Sequence, residues 1–188
     1  GAAVALACGM VPLADGSVRE VLLGCEDLHD PRCRQAYLGA TVGRYANRIR
    51  FGRIARGGSE WQLACQSGSA HQLHGGPDGF DRRPWQVIEQ SDDGVVFALE
   101  SPHGDQGYPG RLQVQLSYRL LPGQAIEMSC EARTDAPTPV CITQHSYFNL
   151  DAETGATRRL GVMYDDEYRR IDGAWKIVVT RSRILAAV

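Results

Sequence analysis

The sequence has no apolar run approaching the roughly 18 residues of a membrane-spanning helix, and its opening, "GAAVALACGM", lacks the basic flank of an export signal. A soluble chain with no membrane partner is expected. Positive charge is not in excess either: 20 Lys and Arg against 22 Asp and Glu leave a formal net charge of -2. Without a basic surface to follow a phosphate backbone, nucleic acid is not an expected partner, and a neutral small molecule fits better. The six cysteines, Cys8, Cys25, Cys33, Cys65, Cys130 and Cys141, form no CxxC pair. Most lie among apolar or strand-like neighbours, where Cys behaves as a small hydrophobe, so free thiols and a cytoplasmic location are expected. A phosphate loop, a GxSxG elbow and an HExxH motif are also missing, which leaves no signature of nucleotide, serine-nucleophile or zinc-protease chemistry. The chain starts at Gly1 rather than Met and runs out in "ILAAV", so it reads as part of something longer. The oligomeric state is not legible in the sequence.

What is present is a series of short apolar runs broken by Gly, Pro, Asp and Asn. With 188 residues and 43% hydrophobic content, one core is the default. The runs "AAVALACGMV", "REVLLGC", "RIRFGRIA", "WQVIEQ", "VVFALES", "LQVQLSYRLL", "AIEMSCEART" and "VCITQHSYFNL" have strand length, and "DDGV" and "LPGQA" supply hairpin turns. Alternation is clearest at Leu112, Val114, Leu116 and Tyr118, with Gln113, Gln115 and Ser117 between them, which predicts one wet face. No stretch before Asp151 keeps a helical period over three turns. The expected class is all-β, an antiparallel β-sandwich, with residues 1–151 as its body. Residues 152–188 form an atypical tail, predicted as a β-hairpin turning at Asp172-Gly173 with Tyr164, Tyr168, Trp175, Ile177 and Val179 available for a packed face.

Two long loops, Gly68 to Trp85 and Ser101 to Gly110, concentrate polar and aromatic residues, as binding loops often do. In "HSYFNL", His145 reads either as a satisfied strand residue or as an acid–base group. Arg48, after Asn47, offers a fork of donors for adjacent hydroxyls or a carboxylate, and equally reads as a surface arginine. His74, followed by Gly75 and Gly76, reads as a ligand-facing histidine or a turn histidine. Phe80 and Trp85 are core aromatics or a ring platform, and Gly104, Gly107, Pro109 and Gly110 shape a turn. His71 and His74 are spaced i, i+3, but no set of three or four ligands frames them, so no metal is expected.

The blocks "YLGATVGRYANRI", "QLHGGPDGFDRRPWQV", "HGDQGYPGRLQVQLSYRL" and "TPVCITQHSYFNL" resemble, in order and spacing, those of the aldose 1-epimerases or galactose mutarotases, and "DGSVREVLLGC" is similar to the family's N-terminal strands. The resemblance covers about Val4 to Leu150 and implies a mutarotase-type β-sandwich. It also implies a cofactor-free isomerase interconverting the α and β anomers of hexoses such as galactose or glucose. In that role His145 donates a proton to the ring oxygen, His74 assists catalysis, and Asn47, Arg48, His74, His145, Ser146 and Tyr147 line the sugar site. The family's general base is a glutamate near the far C-terminal end, with another acidic sugar-binding residue before it. Nothing from Asp151 to Val188 matches the glutamate's block, so a sandwich with missing strands and an incomplete acid–base pair is expected. The alternative is a carbohydrate-binding remnant without turnover. The second half of the tail resembles the closing hairpin of SnoaL-like domains.

Overall fold

A computed structural model describes residues 3–24, 30–122, 125–148, 161–171 and 174–185, the last two ranges as backbone strands only. Its main element is a six-stranded sheet. β8 (Gln86–Gln90), β9 (Gly94–Ser101), β10 (Leu112–Leu121) and β11 (Ala125–Thr134) run antiparallel in chain order, and β14 (Ala174–Leu185) and β13 (Gly161–Ile171) continue past β11. The other strands are short. β1 (Met10–Pro12) pairs with β2 (Val18–Glu20), and β3 (Ala40–Val42) with β12 (Thr143–His145). β4 (Arg48–Ile49) pairs with β7 (Gln72–Leu73), and β5 (Arg53–Arg56) with β6 (Ser59–Gln62). All these ladders are antiparallel, and the class is all-β as expected.

The alternation read in the sequence positions the core. Leu112, Val114, Leu116 and Tyr118 are 0–6% exposed, while Gln113 and Gln115 face solvent. Against this inner face lie Val4, Phe80, Trp85 and Ile142 from the second layer, together with Leu99, Met128 and Cys130 of the sheet. Phe80 and Trp85 meet edge to face at 5.8 Å and belong to this core, with the indole N–H donating to the Phe80 carbonyl. The two layers are tied by Thr41 Oγ1, 2.8 Å from the Tyr118 hydroxyl, and by Gln144 Oε1, which accepts from that same hydroxyl. Gln144 Nε2 reaches back to the Gly39 carbonyl.

The one α-helix among the described residues, α1 (Pro31–Ala36), begins at an Asp30 cap that accepts from the Arg32 amide and has Pro in its first turn, where no N–H is needed. It ends at Tyr37 in the left-handed region. "WQVIEQ" forms β8 as expected, an exposed edge strand with a bulge between Val87 and Glu89. Two expectations are corrected. "RIRFGRIA" is not one strand, because Phe51 (φ 52°) and Gly52 (φ 59°) turn the chain between β4 and β5. Cys33 is disulfide-bonded rather than a free thiol, whereas Cys8, Cys65, Cys130 and Cys141 are free. The tail pairs as two antiparallel strands, Ile171 opposite Ala174, while the Asp172-Gly173 turn and the tail's side-chain packing lie outside the described residues. Among the described residues no helix is long and apolar enough to cross a membrane.

Candidate active site

The site is built on the two-residue ladder of β4 and β7. Asn47, just before β4, and His74, just after β7, are both in the left-handed region, at φ 67° and 48°. Asn and His tolerate that region better than most residues, and such strain persists only where the surroundings hold it. Here two hydrogen bonds hold it: the His74 amide donates to the Asn47 carbonyl at 3.0 Å, and the Asn47 amide donates to His74 Nδ1 at 3.0 Å. The second bond decides the tautomer. With Nδ1 accepting from a backbone N–H, the neutral ring carries its proton on Nε2.

Gly75 lets the turn after His74 press on the neighbouring chain, because at φ 88° a Cβ there would fall 1.8 Å from the Gly43 carbonyl oxygen. From behind, the loop Ser101 to Gly110 braces the same turn. Tyr108 donates to Gln72 Oε1, Gln72 Nε2 donates to the Ala64 carbonyl at 2.9 Å, and the Asp78 amide donates to Gln106 Oε1 at 3.2 Å. Arg44, 1% exposed, anchors that loop by donating to the carbonyls of Ser101, Pro102, Pro109 and Gly110 and to the Ser101 and Thr138 hydroxyls. Asp105 completes the anchor, both of its carboxylate oxygens accepting from the one nitrogen Nη1 of Arg83 at 3.0 Å.

β12 delivers His145. Strand alternation turns Gln144 into the interlayer network and His145 the other way, onto His74. The two imidazoles lie 5.1 Å apart at 87°, edge to face. Tyr147 flanks His145 at 5.2 Å, and its side is exposed to solvent. Tyr37 touches both histidines, at 4.7 Å from His74 and 5.8 Å from His145. Burial, then the charges of His145 and Arg48, push the His74 ring down to about 4, so at neutral pH it is an uncharged hydrogen-bond donor. Arg48 is exposed beside it, its amide held by Asn47 Oδ1 at 2.9 Å.

Of the residues read from the sequence, the structure gathers Asn47, Arg48, His74, His145 and Tyr147. Ser146 is placed otherwise: its hydroxyl lies 3.2 Å from Gln144 Nε2, on the network side of the strand. Tyr37 was not read as a site residue, although it opens the "YLGATVGRYANRI" block; only the fold brings a helix cap against two distant histidines. His71 Nδ1 accepts from the Phe51 amide at 3.0 Å, as His74 Nδ1 does from the Asn47 amide. Among the described residues no three His, Cys, Asp or Glu are grouped to hold a metal ion.

A paired donor histidine beside an exposed arginine and tyrosine, with uncharged walls, suits a polyhydroxylated ligand whose oxygens exchange protons. Comparison with known proteins agrees. The chain is 47% identical over 167 residues to the aldose 1-epimerase of Escherichia coli (strain K12), covering 86% of this chain and 47% of that one. It is 42% identical over 135 residues to the galactose mutarotase of Bos taurus, covering 72% and 39%. The solved aldose epimerase homologue from C. elegans superposes with a TM-score of 0.76 at 28% identity, covering 92% of this chain and 55% of that one. The chain thus spans about half the length of the curated relatives it matches. The aldose 1-epimerase family model matches residues 10–173, running past the last of the motif blocks and through the first tail strand. With the fold, the ordered blocks and the histidine pair all in agreement, the chain belongs to the aldose 1-epimerase family.

Proposed function

We propose that this chain carries the sugar-binding and proton-donating part of an aldose 1-epimerase that interconverts the α and β anomers of free aldohexoses. The observation that supports it most is the edge-to-face pair of His74 and His145, with the His74 tautomer set by the Asn47 amide. The reaction removes the proton of the anomeric hydroxyl while the ring oxygen gains one. The bond from C1 to the ring oxygen breaks as the C1 carbonyl forms, and reclosure on the other face restores every atom. His145 gives the proton to the ring oxygen. His74, uncharged with Nε2–H free to donate, steadies the oxygen on which charge develops without itself delivering a full positive charge. Arg48 and Asn47 hold hydroxyls, and Tyr147 lines the exposed side. The glutamate base implied by the family resemblance completes the pair.

Polarimetry tests this. In a form of the protein that carries the glutamate block, freshly dissolved α-D-galactose should reach its equilibrium rotation faster than in buffer. His145→Asn should lose about 10²–10⁴-fold of that acceleration while keeping most of the sugar affinity. A variant that turns over near the parent rate would remove His145 from the donor role.

A further inference from the structure

Tyr37 is fixed by its backbone and packed by its ring. Its backbone caps α1 in the left-handed region at φ 54°, with its N–H on the Arg34 and Cys33 carbonyls. Its phenol lies near the Gln66 side chain, whose amide donates to the Leu73 carbonyl at 2.6 Å and accepts from the Leu73 N–H at 3.0 Å, beside His74. The centroid of the Tyr37 ring is 4.7 Å from that of His74 and 5.8 Å from that of His145, and the histidines are 5.1 Å apart. Aromatic rings at such separations are in van der Waals contact, which leaves no layer of water among the three.

We infer that Tyr37 is a positioning residue: fixed at the helix cap and packed ring to ring, it seals one side of the His74–His145 pair and holds the two imidazoles in register for a sugar. The consequence is chemical. His74 is faced by the Asn47 amide and Arg48 from the β4 side, by His145 from β12 with Tyr147 beyond it, and by Tyr37 from the helix cap, behind which lie Asp81 and Arg82. Burial is the first cause of its preference for the neutral form, and Tyr37 supplies one wall of that burial. Removing the ring admits water to His74 and lets it protonate at a higher pH. It then becomes a cation, which repels a protonated His145.

The sugar-related role of Tyr37 rests on the proposed epimerase reading, while the sealing itself does not. The experiment reads sealing first: the histidine Cε1–H NMR signals of the 188-residue chain are followed against pH, with the His74 signal assigned from its absence in His74→Gln. In the parent His74 titrates near 4, far below 6.5. Tyr37→Phe keeps the ring and should keep that midpoint, whereas Tyr37→Ala should raise it by about one pH unit or more toward the free value. If Tyr37→Ala loses the native circular dichroism, Tyr37→Leu, which fills part of the volume without a ring, is read instead and should raise the midpoint in the same direction. A folded ring-less variant whose His74 midpoint does not move overturns the inference. So does a variant that loses sugar turnover with the midpoint unmoved, because Tyr37 would then act on the sugar rather than on the histidines. Failure of the form that carries the glutamate block to bind or epimerise any hexose would refute the proposed function and leave the titration result standing.

Discussion

Replacing Arg44 with methionine keeps an aliphatic stem of similar length and deletes every donor at a place where water does not reach. The guanidinium is 1% exposed and donates to the carbonyls of Ser101, Pro109 and Gly110, all buried, and to that of the exposed Pro102. A buried acceptor left without its donor costs about 1–3 kcal/mol, so the three buried carbonyls alone bring the upper bound near 9 kcal/mol. Loop relaxation and entering water reduce this. The working figure is the roughly 3–5 kcal/mol typical of breaking one partner of a buried charged network, the Asp105 carboxylate on Ser101 and Arg83 being left with less compensation. Against a total stability of about 5–15 kcal/mol, that is a large fraction. Urea unfolding followed by circular dichroism reads the change as a lower midpoint at constant slope. The loop released is the one that braces Gln72 and the His74 turn, so histidine NMR signals should also broaden or move below the unfolding transition. A loss under about 1 kcal/mol would refute the view that these carbonyls depend on Arg44.

Leu116→Ala, at a 0% exposed position in the middle of β10, should cost about 2–5 kcal/mol in the same urea assay, and a smaller loss would mean that the two layers close over the cavity. Because His74 titrates near 4 in the folded chain and near 6.5 when unfolded, the unfolded state takes up the proton first as pH falls; stability tied to this ring is complete above 6.5 and is lost between 6.5 and about 4. Urea midpoints for the parent and for His74→Gln should therefore differ in their pH slope across that window, and parallel slopes would count against a buried neutral ring. Arg48→Ala should weaken hexose binding, measured calorimetrically, by roughly 0.5–1.5 kcal/mol for each hydroxyl hydrogen bond lost, and an unchanged affinity would exclude Arg48 from the pocket.

The parts of this molecule that were legible in the sequence are those governed by a local period or a local block. Leu112, Val114, Leu116 and Tyr118 alternate with polar residues because one face of β10 is inside, and burial follows that pattern residue by residue. "WQVIEQ" also mixes apolar and polar residues, but β8 has no neighbour beyond it among the described residues and is an exposed edge that its residues alone do not announce. His74 and His145 stood out as ionisable groups in polar, glycine-containing segments, yet their meeting at 5.1 Å is a long-range result of β12 pairing with β3. Tyr37 was missed for that reason: it ends a six-residue helix, and nothing near it in the chain hints at two histidines. Arg44 reads as one more loop arginine until the sheet closes over it. The Ser146 hydroxyl illustrates the opposite hazard, since adjacency to His145 in a strand places a side chain on the other face.

That last point bears on how this stretch of the gene tolerates change. Gln144 and His145 point to opposite sides of a three-residue strand, one locking the layers together through Tyr118 and Gly39, the other entering the histidine pair. A single-residue insertion or deletion in the stretch from Ile142 to His145 would exchange their sides, turning an imidazole into the interlayer network and an amide toward His74. Spacing is therefore constrained here as tightly as identity. Drift in this segment can proceed by substitution, whereas any shift in length removes the site and loosens the core in one step.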